Sequence, residues 1–185
     1  MPLTDTVPTI KGMFVSSHVS AVRRAKGEEG VRALERLYGK SLAFRNSERV
    51  PVREEVRIIE CALDILTGHT VSPAERAFEA GRLHFRNFTT TPFGRLLFPM
   101  FRGSFRKMML RTKNIGGHVF EGVRFSSVDR GESEVVVRME NADYPIDHFR
   151  GLFYEWLLYA GHSGSVEASE PEARTYEYVI RWNPS

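Results

Sequence analysis

The chain has 185 residues, 42% hydrophobic and 26% charged, a balance that excludes disorder, collagen and a repeat array. A chain of this size buries roughly 70% of its unfolded surface, so one core forms without metal or disulfide staples. Lys and Arg total 26 against 23 Asp and Glu, a formal net charge of only +3.

The single cysteine, Cys61, makes no internal disulfide, so nothing demands an oxidising compartment. The N-terminus lacks the basic start and apolar run of a secretory signal. No window approaches the roughly 18 apolar residues of a transmembrane helix. A cytoplasmic protein without membrane insertion is expected.

In chain order, residues 10–15 are β-prone. Ser16 or Ser17 then caps a helix to residue 26, and Gly27 ends it. A second helix fits 28–38, closed by Gly39, and 45–50 reads as polar loop. The clearest helix is 51–66, with Pro51 at its first position. Its apolar residues cover an arc of about 220°, wide enough to be buried on two sides. Arg53, Arg57, Glu60 and Asp64 fill the remaining wedge. Cys61 lies at the margin of the arc and reads as a small buried hydrophobe.

Ser72-Pro73-Ala74-Glu75 is a capping box that opens a helix to about residue 88. Thr91-Pro92 restarts another, which Pro99 or Gly103 breaks before a short helix over 104–111. Residues 119–128 and 134–139 form a hairpin around the turn at Asp129-Arg130-Gly131-Glu132. A helix over 145–160 and a strand pair, 165–168 with 175–182, complete the chain.

The charge is uneven. Residues 80–120 hold eight basic side chains and no acid, whereas residues 121–185 hold six basic and 12 acidic ones. Mutual attraction of two layers of one domain is the simplest reading. The alternative is an anion- or nucleic-acid-recognising surface built from Arg102, Arg106, Lys107, Arg111 and Lys113. Phenylalanines interleave with these charges at helical spacing, which suits a core better than a base-stacking platform, so nucleic acid is not expected.

The 145–160 helix carries a core stripe and a second stripe of Gly151, Tyr154 and Leu158. A glycine inside a helix is about 1 kcal/mol less favourable than alanine, so Gly151 marks close approach by another backbone. A homodimer partner and another layer of the same chain are equal candidates.

The chemistry-bearing residues form no catalytic pattern. His18, His69, His84, His118, His148 and His162 show no His-x-x-x-His spacing, and no metal site is expected. His84 and His148 lie within helices and read as satisfied, partly buried histidines. His69 and His162 stand beside glycines at helix ends. Gly116-Gly117 is not a phosphate loop, and Gly161-His162-Ser163-Gly164 is not a nucleophile elbow. Asp143 reads as a helix cap. No catalytic residue is assigned, and no enzyme is expected.

Val50-Pro51-Val52-Arg53-Glu54-Glu55-Val56-Arg57, Phe78-Glu79-Ala80-Gly81-Arg82-Leu83-His84-Phe85 and Val119-Phe120-Glu121-Gly122-Val123-Arg124-Phe125, with Lys11-Gly12-Met13-Phe14, resemble an uncharacterised paralogous family of similar length, expanded in myxobacteria. Phe149-x-Gly151, Gly161 and Tyr178-Val179-Ile180-Arg181-Trp182 are similar to a broader ligand-binding fold. That fold is shared by haem nitric-oxide sensors, 4-vinyl-reductase-type domains and TRAPP-type trafficking subunits. The haem branch carries a proximal histidine and Tyr-x-Ser-x-Arg. This chain has Tyr176-Glu177-Tyr178-Val179-Ile180, so no cofactor is implied.

The expected architecture is one α+β domain over 1–185. Its helical part, 10–113, packs on a small antiparallel sheet made by two hairpins flanking a helix, 118–182. The resemblance implies a non-enzymatic sensory or adaptor domain in bacterial regulation, binding an apolar small molecule or a protein partner through the Gly151 stripe.

Overall fold

Residues 6–68, 72–100 and 104–183 are described in the computed structural model of the chain. Strand β1 (Thr9–Lys11) is shorter than its β-prone residues suggest, because helix α1 (Gly12–Tyr38) begins directly after it. Phe14, Val15, His18, Val19 and Val22 recur at helical spacing on the buried face of α1 and hold it down. The two helices expected at 16–26 and 28–38 are arms of this one element. They meet at Gly27, whose φ of 64° and ψ of −163° break the helical path. The segment expected as loop contains β2 (Arg49–Pro51), where Val50 pairs with Ile10. A three-residue strand carries no signal of its own and exists because β1 supplies its partner.

Helix α2 (Val52–Thr67) starts one residue after Pro51, and Gly68 closes it in the left-handed conformation. Helix α3 (Pro73–Thr90) begins with the expected capping box, in which Ser72 and Glu75 satisfy each other's backbone amides. In α4 (Pro92–Met100), Pro99 lies inside the helix and does not end it; the other expected breaker, Gly103, lies outside the described residues. Helix α5 (Phe105–Met109) follows. Helix α6 (Thr112–Val119) was not expected, since Gly116-Gly117 is a poor helical sequence. Packing overrides propensity there: Gly116 seats the ring of Phe125 where a Cβ would stand.

Strand β3 (Phe120–Glu121) joins β1 on the side opposite β2, giving a small sheet of order β2-β1-β3. The expected hairpin is β4 (Arg124–Asp129) with β5 (Glu134–Glu140), in register from Arg124–Glu140 to Asp129–Val135. Helix α7 (Ile146–Tyr159) then leads to β6 (Gly164–Glu172) and β7 (Thr175–Trp182). The second sheet is antiparallel throughout, of order β4-β5-β7-β6. The α+β class and the two hairpins flanking a helix are therefore as expected.

Alternation decides which face of this sheet is buried. Val135, Val137 and Met139 of β5 and Tyr176, Tyr178, Ile180 and Trp182 of β7 point inward, and α7 packs against β6 and β7. The outer face is a lattice of ion pairs. Arg181 meets Glu134 at 2.7 Å and Glu167 at 2.8 Å, and Arg138 meets Glu177 at 3.1 Å.

Helices α3 and α7 cross at backbone contact. A Cβ on Gly81 would run into the carbonyl oxygen of His148, and one on Gly151 into that of Phe78. The close approach that Gly151 signals thus comes from α3 of the same chain.

Candidate functional site

Four helices bring polar side chains to one point inside the core. His18 comes from α1, Glu55 from α2, His84 and Asn87 from α3, and His148 from α7; Tyr144 precedes α7. All six are buried, His18, Glu55 and His148 with no exposure at all. His18 Nε2 lies 2.7 Å from Glu55 Oε1, and His84 Nδ1 lies 3.4 Å from the same oxygen. Tyr144 donates its hydroxyl proton to Glu55 Oε2 at 2.7 Å. The Asn87 amide meets His18 Nδ1 at 3.0 Å, and His84 Nδ1 meets His148 Nε2 at 3.0 Å.

Each imidazole has a local reason to be there. His18 occupies an inward turn of α1 between Val15 and Val22, and His84 lies next to Phe85 one turn after Gly81. His148 stands one turn before Gly151, so the glycine crossing that joins α3 to α7 also sets the two rings face to edge, 5.3 Å between centroids.

Burial sets the electrostatics. It pushes His84 down to about 4 and His148 down to about 3, and both rings are neutral at pH 7. Burial also raises the Glu55 carboxyl, but the imidazoles of His84, His18 and His148 outweigh it and hold the group down to about 2. Among the described residues no Lys or Arg forms an ion pair with Glu55; its partners are His18 and His84. Tyr144 is raised well above the usual phenol range by burial and by Glu55, so it remains a donor.

Glu55 and Asn87 were missed by sequence reasoning, and His18 was seen only as one histidine among six. The signal for Glu55 was present. At about 100° per residue it falls between Ala62 and Ile59, inside the apolar arc of α2 and away from the charged wedge. A carboxylate inside an apolar arc needs a buried partner.

Beside this cluster lies an apolar cavity of about 50 Å³, between α3, α6 and α7, with β3 and β4 closing one side. Its lining includes Phe85, Phe88, Phe125, Phe149, Phe153 and Trp156, and His84 is the member of the polar cluster that also lines it. Thr112 Oγ1 and Trp156 Nε1, both on lining residues, are buried without a hydrogen-bond partner.

The expected site residues are dispersed. Gly151 is buried under Phe78, Tyr154 is half-buried with its ring 5.6 Å from that of Phe78, and Leu158 is exposed. In the basic segment, Arg106 pairs with Asp129 of β4 at 2.5 Å, while Lys107, Arg111 and Lys113 are exposed. Arg102 lies outside the described residues, as does His69. Arg82 and Arg86 both hold Glu155, at 2.7 Å and 2.8 Å, so attraction between layers does absorb part of the basic block. Asp143 caps no helix; it accepts a hydrogen bond from Arg53 at 2.8 Å, and α7 starts at Ile146 after the N-cap residue Pro145, without a side-chain cap. Burial raises the Cys61 thiol, the reverse of what an activated nucleophile needs. No described helix is long and apolar enough to cross a membrane.

The fold matches solved H-NOX domains along nearly its whole length. An oxygen-binding H-NOX domain related to soluble guanylate cyclases, solved as its oxygen complex, superposes with a TM-score of 0.65 at 17% identity, covering 95% of this chain and 96% of that one. An H-NOX variant from T. tengcongensis gives 0.65 at 18% identity, with 95% and 98% covered. An unliganded Fe(II) H-NOX variant from K. algicida gives 0.65 at 12% identity, with 95% and 98% covered. No curated protein matches the chain.

Haem, a group studied in H-NOX proteins, does not fit these residues. Pockets for larger ligands run to roughly 300–1,000 Å³, whereas aromatic rings reduce this one to about 50 Å³. Its one described histidine, His84, turns its Nδ1 to His148 and Glu55, and His118 of α6 is exposed beside Phe93. A family model described as protein of unknown function (DUF2378) matches residues 5–183, and the chain belongs to that family.

Proposed function

We propose that this protein is a non-enzymatic sensory domain that binds a small apolar molecule in the cavity between α3, α6 and α7. The observation that carries the reading is the cavity itself, lined by Phe85, Phe88, Phe149, Phe153 and Trp156. A space walled almost wholly by aromatic and aliphatic side chains takes up apolar guests. Its size, about 50 Å³, suits a molecule of a few heavy atoms. The H-NOX likeness supports a sensor at the level of fold, and one such relative binds oxygen. Occupancy acts on α7, which spans from the cavity to β6 and β7, so the sheet is the output surface. The anion-recognising alternative has less support, since Arg82, Arg86 and Arg106 are engaged by Glu155 and Asp129.

Xenon NMR tests the reading directly. Wild-type protein should shift the xenon resonance in proportion to its concentration. Ile115→Trp, which fills the space, should remove that shift while far-ultraviolet circular dichroism stays native. Equal shifts with both proteins would sink the proposal.

A further inference from the structure

The polar cluster is separate from the cavity and shares only His84 with it. We propose that His18, Glu55 and His84 form a binding site for one divalent first-row transition-metal ion, at the junction of α1, α2 and α3.

Three observations carry this. The first is the donor set and its spacing. One ligand atom from each residue lies within 4.8 Å of the others, and all three residues are buried. Nitrogen and carboxylate ligands held about 2.1 Å from a tetrahedral ion stand about 3.4 Å apart. His84 Nδ1 and Glu55 Oε1 are already 3.4 Å apart, and His18 Nε2, at 2.7 Å from Oε1, needs only to draw back. Two imidazoles and one carboxylate suit zinc or ferrous iron, with room for a further ligand. His148 Nε2, 3.0 Å from His84 Nδ1, is next in line for that position.

The second observation is charge. Glu55 is wholly buried with no Lys or Arg among its described ion-pair partners. A buried carboxylate requires a charged partner or a metal; among its described ion-pair partners only a protonated imidazole could serve, and a divalent ion supplies that charge with both imidazoles neutral.

The third is the surrounding shell. Metal-bound histidines hold their second ring nitrogen on a fixed partner, and bound carboxylates are themselves hydrogen-bonded. Asn87 Nδ2 stands 3.0 Å from His18 Nδ1 and holds that nitrogen in place; with Nε2 on the ion, a flip of the Asn87 amide presents its oxygen to the Nδ1 proton. Tyr144 fixes the second oxygen of Glu55.

The test uses the full chain, unfolded in guanidinium chloride with chelator and refolded with cobalt(II). Visible ligand-field bands should saturate at one ion per chain, and zinc(II) should displace them. His18→Gln and His84→Gln should abolish the bands with circular dichroism unchanged. Asn87→Ala should keep the stoichiometry and weaken affinity by roughly 10–100-fold, as loss of an orienting partner does. Wild-type protein that regains native circular dichroism without bands or bound ion overturns the proposal, as do His18 and His84 variants that bind undiminished. Should those variants fail to fold, imidazole proton resonances of the wild type decide. Paramagnetic shifts at His18 and His84 support the site; shifts confined to exposed His118, or none, overturn it.

Discussion

Gly81 of α3 and Gly151 of α7 let two helix backbones touch, and each stands one turn from a histidine of the buried pair. A Cβ at either position would enter a carbonyl group of the opposite helix. The crossing therefore sets both the 3.0 Å contact of His84 with His148 and the seat of Trp156 against Phe85 on the cavity wall. The polar cluster and the cavity depend on one packing decision.

Gly81→Ala and Gly151→Ala should each lower unfolding stability by about 1–3 kcal/mol or more, because the helices must part to admit a methyl group. Gly117→Ala is the matched control. Nothing lies within 4 Å of its added Cβ in α6, and the helix should gain up to about 1 kcal/mol. Urea denaturation of the three variants checks the order; equal effects would refute the crossing argument.

Gly27 stands at φ 64° and ψ −163°, a region open essentially to glycine alone. Gly27→Ala should destabilise by about 1–3 kcal/mol although no atom is near its Cβ, since the strain is in the backbone. A neutral outcome by thermal denaturation would show that α1 runs straight.

Tyr144→Phe removes the donor to Glu55 Oε2 and leaves a buried acceptor without it. The loss should be about 1–3 kcal/mol. Tyr178→Phe also deletes a hydroxyl, but one that donates to the carbonyl oxygen of Ile146 at 3.1 Å, a neutral bond worth about 1 kcal/mol net. Chemical denaturation should rank Tyr144→Phe as the more damaging.

Glu155 ties α7 to α3 and should show in the pH dependence of stability. Burial raises its carboxyl, but Arg86 and Arg82 outweigh this and leave it below the ordinary value of 4.5. A carboxyl depressed in the folded state contributes stability at pH values above its unfolded pKa, and loses it as pH falls through the folded one. Stability should therefore fall below about pH 4.5, and Glu155→Gln should flatten that part of the profile. At neutral pH the substitution should lose about 1 kcal/mol, modest because Arg86 is half exposed. A wild-type slope retained in the variant would assign the acid sensitivity elsewhere.

Phe85→Ala should cost about 3–5 kcal/mol, since the ring is buried against Phe98 and Trp156. It also enlarges the apolar cavity, so benzene should raise the melting temperature of the variant more than that of the wild type. Equal responses would place the guest outside this space.

The elements with strong local codes were legible in the sequence. The capping box at Ser72-Glu75, the wide apolar arc of α2 and the alternation of β5 and β7 each follow from contacts within one helix turn or one strand. The α+β class follows from their order. Elements without a local code were not legible. Helix α6 forms through Gly116 because Phe125 fills the place of a side chain, and β2 forms because β1 lies beside it.

The site shows the same division. The sequence determined that Gly151 marks a close backbone approach, and the arc of α2 already contained Glu55 out of place. Only the tertiary structure decided that the approaching backbone is α3. Only it brought His18, Glu55, His84 and His148 together, from four helices as far as 130 positions apart in the chain. A helix constrains neighbours three and four residues away; a buried cluster is defined by crossings between helices, and no spacing along the chain records them.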